Sequence, residues 1–231
     1  ADWTVRDVEQ TPGGSRFTVH GPGGLEVAAS VPLPGDFNVA NALVAVAAAV
    51  EAGFDGAAVA AALADSGGVS GRLERIEEGQ DFDVLVDYAH KPDALEAVLR
   101  TLRPVTRRRL VVVIGAGGDR DQGKRPLMGA IAGELADVVH VTDDNPRTED
   151  PAAIRAELVR GAQGHRAEVV EHADRRSAIE AALAAAGPGD VVVVAGKGHE
   201  TGQEVAGVVH PFDDREVARE TLRRLASGGR P

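Results

Sequence analysis

The segment Val141-Thr142-Asp143-Asp144-Asn145-Pro146-Arg147-Thr148-Glu149-Asp150-Pro151 sets a carboxylate, an amide and a guanidinium on a proline-stiffened turn behind an apolar strand. Those groups suit a zwitterion. Arg147 carries a planar fork of donors matched to a carboxylate, and Asp144 can accept from an ammonium. Pro146 restricts one φ, so less entropy is lost when a ligand arrives. The turn reads as an amino-acid clamp. The same residues also fit an ordinary strand-to-helix loop, with Asp150 capping a helix that starts at Pro151.

Three other apolar runs end in polar loops. Asp87-Tyr88-Ala89-His90-Lys91-Pro92 follows Val84–Val86, Gly115 to Pro126 follows Leu110–Ile114, and Gly196-Lys197-Gly198-His199-Glu200 follows Val191–Ala195. Ligands of open α/β sheets sit beyond the carboxyl ends of the strands, so four exits carrying charge beside Gly or Pro point to one shared site. Taken singly, each residue has a plainer reading. Arg120 could pair with Asp121 or Glu134, His90 and His199 could be turn residues, and Glu200 could be solvated. Arginine greatly outnumbers lysine, and the only lysines, Lys91, Lys124 and Lys197, all fall in these loops, where an ammonium is expected to matter.

Gly118 through Lys124 imitates a phosphate-binding loop. Arg125 stands where Ser or Thr should bind Mg²⁺, and Asp119 and Asp121 would put negative charge where phosphates must lie. Gly115-Ala116-Gly117-Gly118 does not complete a dinucleotide fingerprint either, which disfavours a nicotinamide oxidoreductase. His20, His140, His165, His172 and His210 show no ligand spacing, and no protein-built metal site is expected.

The elements that must hold these loops are legible as patterns. Trp3–Val8, Arg16–His20 and Leu25–Ser30 read as short antiparallel strands, Phe37–Ala52 and Ala57–Ala64 as helices, and Ser66–Gly71 as a flexible junction. This first part reads as too strand-poor for a comfortable domain. Beyond the junction the four apolar strands, the third of them Val138–Val141, alternate with helices at Pro92–Leu102, Arg125–Leu135, Ala152–Gly161 and Arg176–Ala186. A last helix runs from Asp213 or Asp214 to Leu225. Continuous β-branched strands separated by such helices predict a mainly parallel sheet covered on both faces.

The chain has 231 residues, 43% hydrophobic and 26% charged, enough for one large or two small domains with a real core. A net charge of -11 with 3% aromatic residues provides neither basic patch nor stacking platform, so nucleic acid is not an expected partner. No run is apolar enough to span a membrane, no secretory leader is recognisable, and there is no cysteine. A cytoplasmic monomer is the expectation.

Across essentially its whole length the chain resembles the C-terminal part of the Mur ligases, in the branch that adds meso-diaminopimelate. The resemblance is carried by Gly35-Asp36-Phe37-Asn38-Val39-Ala40-Asn41-Ala42, Ser70-Gly71-Arg72-Leu73-Glu74, Asp87–Pro92, Gly117–Pro126, Asp143–Pro151 and Gly196-Lys197-Gly198-His199-Glu200-Thr201-Gly202-Gln203. It implies residues 1-70 as the end of a central ATP-binding domain (strands plus two helices) and 71-231 as a Rossmann-like α/β domain that binds the amino acid. It also implies that Arg120, Asp144, Asn145, Pro146, Arg147, Gly196 and Glu200 bind meso-diaminopimelate. Arg120 and Arg147 would grip its distal carboxylate with Asn145 in support, and Glu200 and the Gly196 carbonyl would take the distal ammonium. Asn41 would lie against the ATP adenine, with Arg72, Asp87 and His90 near ribose or phosphates.

The family reaction transfers the γ-phosphate of ATP, with Mg²⁺, to the carboxylate of UDP-MurNAc-L-Ala-D-Glu, and the amine then attacks the acyl phosphate. The phosphate-binding loop, the Mg²⁺ ligands and the UDP-binding domain of the family all lie outside these residues. The resemblance therefore implies a fragment that recognises the amino acid, names no catalytic residue and cannot make the acyl phosphate unaided. A non-catalytic amino-acid-binding module and a related ligase using lysine are the alternatives; the charge pattern of Asp144-Asn145-Pro146-Arg147 argues against lysine.

Overall fold

A computed structural model describes residues 2–228, which divide into two compact units between Val69 and Ser70. In the first unit, β1 (Thr4–Thr11), β2 (Gly14–Gly21) and β3 (Leu25–Val31) form an antiparallel sheet in the order β1-β2-β3. It is followed by α1 (Asp36–Glu51) and α2 (Gly56–Ala64). Alternate residues of the sheet, Phe17, Val19, Val27, Ala29 and Val31, pack against Val39, Ala42 and Val46 of α1 and Ala60 of α2. The three strands and two helices expected in this part are present, and they enclose a core of their own.

The second unit contains, in chain order, β4 (Glu74–Arg75), β5 (Asp83–Asp87), α3 (Pro92–Leu102), β6 (Leu110–Ile114), α4 (Lys124–Leu135), β7 (Val138–Val141) and α5 (Pro151–Ala162). Then come β8 (Glu168–Glu171), α6 (Arg175–Ala185), β9 (Val191–Ala195), β10 (Gly202–Val205), β11 (Val208–Pro211) and α7 (Asp214–Ala226). The central sheet runs β4-β5-β9-β6-β7-β8; β4 is antiparallel to β5, and all other neighbours are parallel. Val84, Val86, Val111, Val113, Val192 and Val194 pack against α6 and α7. The alternate residues Leu85, Val112 and Val193, equally buried, face the opposite side. Each such side chain removed from water contributes about 1.5–3 kcal/mol, and burial on both faces is why these strands read as unbroken β-branched runs. The predicted mainly parallel sheet is present. The two-residue β4, the edge strand β8 and the β10–β11 hairpin were not anticipated.

Beside β8, His140 of β7 is 6% exposed and its Nδ1 lies 2.9 Å from Nε2 of His172, one nitrogen donating to the other. Burial, with the neighbouring His172, pushes the His140 pKa from 6.5 down to about 4. The folded state therefore refuses a proton that the unfolded chain accepts. The stability contributed by neutral His140 is complete above pH 6.5 and is lost as pH falls from there toward about 4. The expected loss is roughly 3 kcal/mol. Urea unfolding between about pH 7 and pH 4.5 should show a smaller decline for His140→Gln than for the parent. Identical pH dependence in the two proteins would refute this.

Candidate functional site

Strands β5, β9, β6 and β7 are consecutive neighbours in the sheet, so their four polar exits emerge side by side along one edge. They enclose a cavity of about 900 Å³ lined by Arg120, Asp144, Asn145, Arg147, Gly196 and Glu200, with His90 on its wall. Six of the seven residues expected to bind the amino acid thus meet there. Pro146 does not: it is buried, and its carbonyl accepts from Glu149 N–H at 3.1 Å. That carbonyl would lie 1.9 Å from a Cβ at Gly118, so only glycine lets the β6 and β7 loops approach so closely. The role of Pro146 is to shape the turn from behind.

The two arginines flank the same stretch of backbone. A side chain at Gly117 would stand 3.0 Å from Arg147 Nη1 and 3.9 Å from Arg120 Cγ. Arg147 Nη1 donates to the Gly118 carbonyl at 2.8 Å, and Nε pairs with Glu204 at 3.2 Å. Of its five N–H donors, Nη2 keeps both of its own and Nη1 its second, so an incoming carboxylate is met end-on rather than along the Nε edge. The backbone of Arg147 is left-handed, φ 52°. It is held so by Arg147 N–H donating to the Glu204 carbonyl at 3.0 Å and Ala206 N–H donating to the Arg147 carbonyl at 2.7 Å. A non-glycine residue in this region costs roughly 1–2 kcal/mol, and the hairpin's hydrogen bonds hold it there. Arg120 is exposed; Asp121 accepts from Gly123 N–H at 2.9 Å, not from Arg120.

Asn145 has a different part from the expected one. Its Oδ1 accepts from Lys197 Nζ at 3.0 Å and from Glu204 N–H at 2.9 Å, and its Nδ2 donates to Glu200 Oε2 at 3.0 Å. It joins Glu200 and Lys197 to the hairpin instead of supporting the arginines. Burial raises the Glu200 pKa, but hydrogen bonds from Asn145 and Lys197 and a contribution from Tyr88 lower it further, so the carboxylate sits below its ordinary range. Asp144 is buried, and its Oδ2 would lie 2.6 Å from a Cβ at Gly196, whose φ of 122° also calls for glycine. Lys124, its pKa lowered by burial, donates to the His90 carbonyl at 2.9 Å.

The residues expected near nucleotide fall in both units. Asn41 lies exposed on α1, in the other unit. The Arg72 guanidinium stacks over the Tyr88 ring, 4.9 Å from its centroid. Asp87 is buried, and its oxygens accept from Leu73 and Ala89 N–H at 2.8 Å each, so it anchors the loop; burial raises its pKa despite those bonds. In the false phosphate loop, Asp119 N–H donates to Glu149 and Gly123 N–H to Asp121, so these amides are already occupied. Among the described residues, no group of three or more His, Cys, Asp or Glu could hold a metal ion.

Sequence reading missed Arg175 and the hairpin. Arg175 is fully buried and bidentate to Asp214, 2.7 Å in each arm. It also donates to the Ala195 carbonyl at 3.0 Å and the Asp143 carbonyl at 3.3 Å, tying the ends of β9 and β7 together. A cation in the first turn of a helix opposes the macrodipole and is the local signal that could have marked it. For the hairpin the signal was the dipeptide Ala206-Gly207, whose φ values of 50° and 75° suit a type I′ turn.

The chain belongs to the Mur ligase family. The profile described as Mur ligase, glutamate ligase domain matches residues 71–198, and that of the Mur ligase middle domain matches residues 1–49. It is 54% identical over 228 residues to the UDP-N-acetylmuramoyl-L-alanyl-D-glutamate–2,6-diaminopimelate ligase of Streptomyces coelicolor, covering 97% of this chain and 45% of the relative. The corresponding enzyme of Corynebacterium efficiens is 56% identical over 237 residues, 99% of this chain and 45% of the relative. The chain thus spans less than half the length of these relatives. A solved structure of a ligase of the same name superimposes with a TM-score of 0.75 at 42% identity, covering 98% of this chain and 46% of that one. Folylpolyglutamate synthase of Mycobacterium tuberculosis, complexed with ADP and AMPPCP, gives 0.64 at 26% identity, covering 100% and 49%.

The site stands on the Arg175–Asp214 pair. Arg175→Met leaves a buried carboxylate without its partner, and the second unit is expected to lose about 3–5 kcal/mol. The double variant Arg175→Met/Asp214→Leu should recover much of that, because no uncompensated charge remains. Urea unfolding curves of both variants check this; a single variant within about 1 kcal/mol of the parent would contradict it.

Proposed function

We propose that this chain is the amino-acid-recognising part of an ATP-dependent ligase that joins meso-diaminopimelate to UDP-MurNAc-L-Ala-D-Glu in peptidoglycan precursor synthesis. The observation that carries the reading is a single cavity lined both by Arg147 and Arg120, which flank Gly117, and by Asp144 and Glu200, with Asp144 set against Gly196. One end of diaminopimelate is itself a carboxylate and an ammonium on one carbon. Arg147 receives the distal carboxylate end-on, with Arg120 beside it. Asp144, Glu200 and the Gly196 carbonyl take the distal ammonium.

Holding the far end by both charges leaves the near amine free to react. A carboxylate becomes an acylating agent once its oxygen leaves as phosphate, which is the chemistry ATP supplies in Mur ligases. What remains for these residues is placing a neutral amine in line, a positioning problem that can lower a barrier by several kcal/mol. The loop amides of Asp119 and Gly123 are occupied by Glu149 and Asp121, and among the described residues no group of three or more His, Cys, Asp or Glu could hold a metal ion. Arg72 and His90 are the proposed nucleotide contacts of the second unit, with Asp87 holding the loop beside them, and Asn41 is the one proposed for the first. A nucleotide-linked substrate and ATP imply the cytoplasm.

Selectivity follows from charge matching. Lysine lacks the distal carboxylate and would leave the open Nη donors of the part-buried Arg147 without an acceptor, at a cost of about 1–3 kcal/mol. Calorimetry on the chain is expected to show meso-diaminopimelate binding at least about tenfold tighter than lysine. Arg147→Ala should weaken diaminopimelate about 10- to 100-fold, and Arg147→Lys should fall between, since it keeps the charge but not the fork. Equal affinity for the two amino acids, or an unaffected Arg147→Ala, would overturn the reading. Ligation restored by adding the N-terminal part of a diaminopimelate ligase would distinguish an enzyme part from a stand-alone binding module.

A further inference from the structure

Lys197 lies just beyond β9 and is fully buried, 0% exposed. Its Nζ meets two acceptors, Asn145 Oδ1 at 3.0 Å and Glu200 Oε2 at 3.2 Å. An ammonium taken wholly out of water is unfavourable unless it is paired, and an apolar side chain could occupy the same space without that desolvation. The charge therefore calls for a role, and its two partners indicate one.

The amide of Asn145 has two orientations that occupy nearly the same volume. With Oδ1 toward Lys197 and the Glu204 N–H, Nδ2 faces Glu200 Oε2 at 3.0 Å, and every contact joins a donor to an acceptor. Reversed, the amide would set its NH₂ against an ammonium and an N–H, and its oxygen against a carboxylate. Lys197 and the hairpin thus select one orientation. Glu200 is then anchored through Oε2 by both Asn145 and Lys197, with Tyr88 as a further side-chain partner of the carboxylate. The other charged or titratable groups around this carboxylate are Tyr88 from the β5 loop, Asp144 from the β7 loop and Arg175 from α6.

We propose that Lys197 is a positioning residue for recognition of the ligand's distal ammonium. From inside the fold it holds the Asn145 amide in one orientation and keeps the Glu200 carboxylate charged and anchored, without itself touching the ligand. The proposal rests on reading the cavity as an amino-acid site and adds a determinant that lies behind its wall.

The test is calorimetry of meso-diaminopimelate on the full chain between about pH 4 and pH 8, with thermal unfolding of each variant. Lys197→Met is expected to weaken binding about tenfold or more at neutral pH. It should also move the acid limb of the binding profile upward by about one pH unit or more, so that affinity recovers as pH rises. Lys197→Gln, which keeps a donor for Asn145 Oδ1 but no charge, should shift the acid limb in the same way with a smaller loss at its plateau. Parent-like affinity and pH profile in either variant would overturn the proposal. So would a loss equal at every pH, or failure of both variants to fold, since each marks a purely structural lysine. If the parent does not bind, or Arg147→Ala binds as the parent does, the reading of the cavity itself falls and this inference with it.

Discussion

Charge withdrawn from water at the carboxyl edge of the sheet is the constraint that the surrounding architecture has to satisfy. Arg175, Lys197 and Asp214 are fully buried, and Asp144 nearly so. Isolated, each would carry a desolvation penalty of several kcal/mol, which is a large part of the net stability of a domain. None is isolated. Arg175 answers Asp214 with two parallel hydrogen bonds and uses its remaining donors on the carbonyls that end β7 and β9. The pairing that makes these charges tolerable therefore also fixes the strand ends relative to one another, and the loops that form the cavity start from those ends.

The same logic extends outward through the β10–β11 hairpin. Glu204 supplies a carbonyl to the Arg147 backbone, a carboxylate to its Nε and an N–H to Asn145 Oδ1. One residue on a two-stranded ribbon thereby constrains both Arg147 and Asn145 in the cavity wall. Arg147 sits in an unfavourable backbone region because this ribbon pairs with it, as a parallel bridge to Val205. A guanidinium so restrained loses little conformational entropy when a ligand arrives, whereas a free arginine side chain would give up as much as about 2 kcal/mol.

What could be read from the sequence divides along the range of the interactions. β5, β6, β7, β9 and the helices between them follow local rules: β-branched runs, Pro92 and Pro151 in first turns, and Asp150, Asp174 and Asp213 as caps. That all four polar loops share one edge follows from parallel topology, so Arg120, Asp144, Arg147, Gly196 and Glu200 could be grouped before any coordinates. The partners could not. Asn145 could be grouped with Asp144 and Arg147 and does line the cavity, but its hydrogen bonds could not be foreseen. Its actual partners lie 52 to 59 residues away, at Lys197, Glu200 and Glu204. β8 escaped notice because only Val169 and Val170 of its four residues are apolar, as befits an edge strand with one neighbour.

Pairing among the acidic residues finally bears on what the cavity accepts. Arg175 and Lys197 are committed to Asp214 and Glu200, and Lys124, which also lines the cavity and feels the Asp144 charge, donates to the His90 carbonyl. With Asp214 satisfied by Arg175, and Glu200 Oε2 by Lys197 and Asn145, Asp144 is left facing the space that Gly196 keeps clear of a side chain. An ammonium brought by a ligand adds a hydrogen-bonded partner for that carboxylate only while it is bound. Among the basic residues the case is reversed, because Arg147 is half-neutralised by Glu204 and Arg120 stands exposed without that partner. The two sets of open groups have opposite sign within one cavity, so a zwitterion meets both at once, while a simple amine or a simple acid meets only one and leaves the other without a partner.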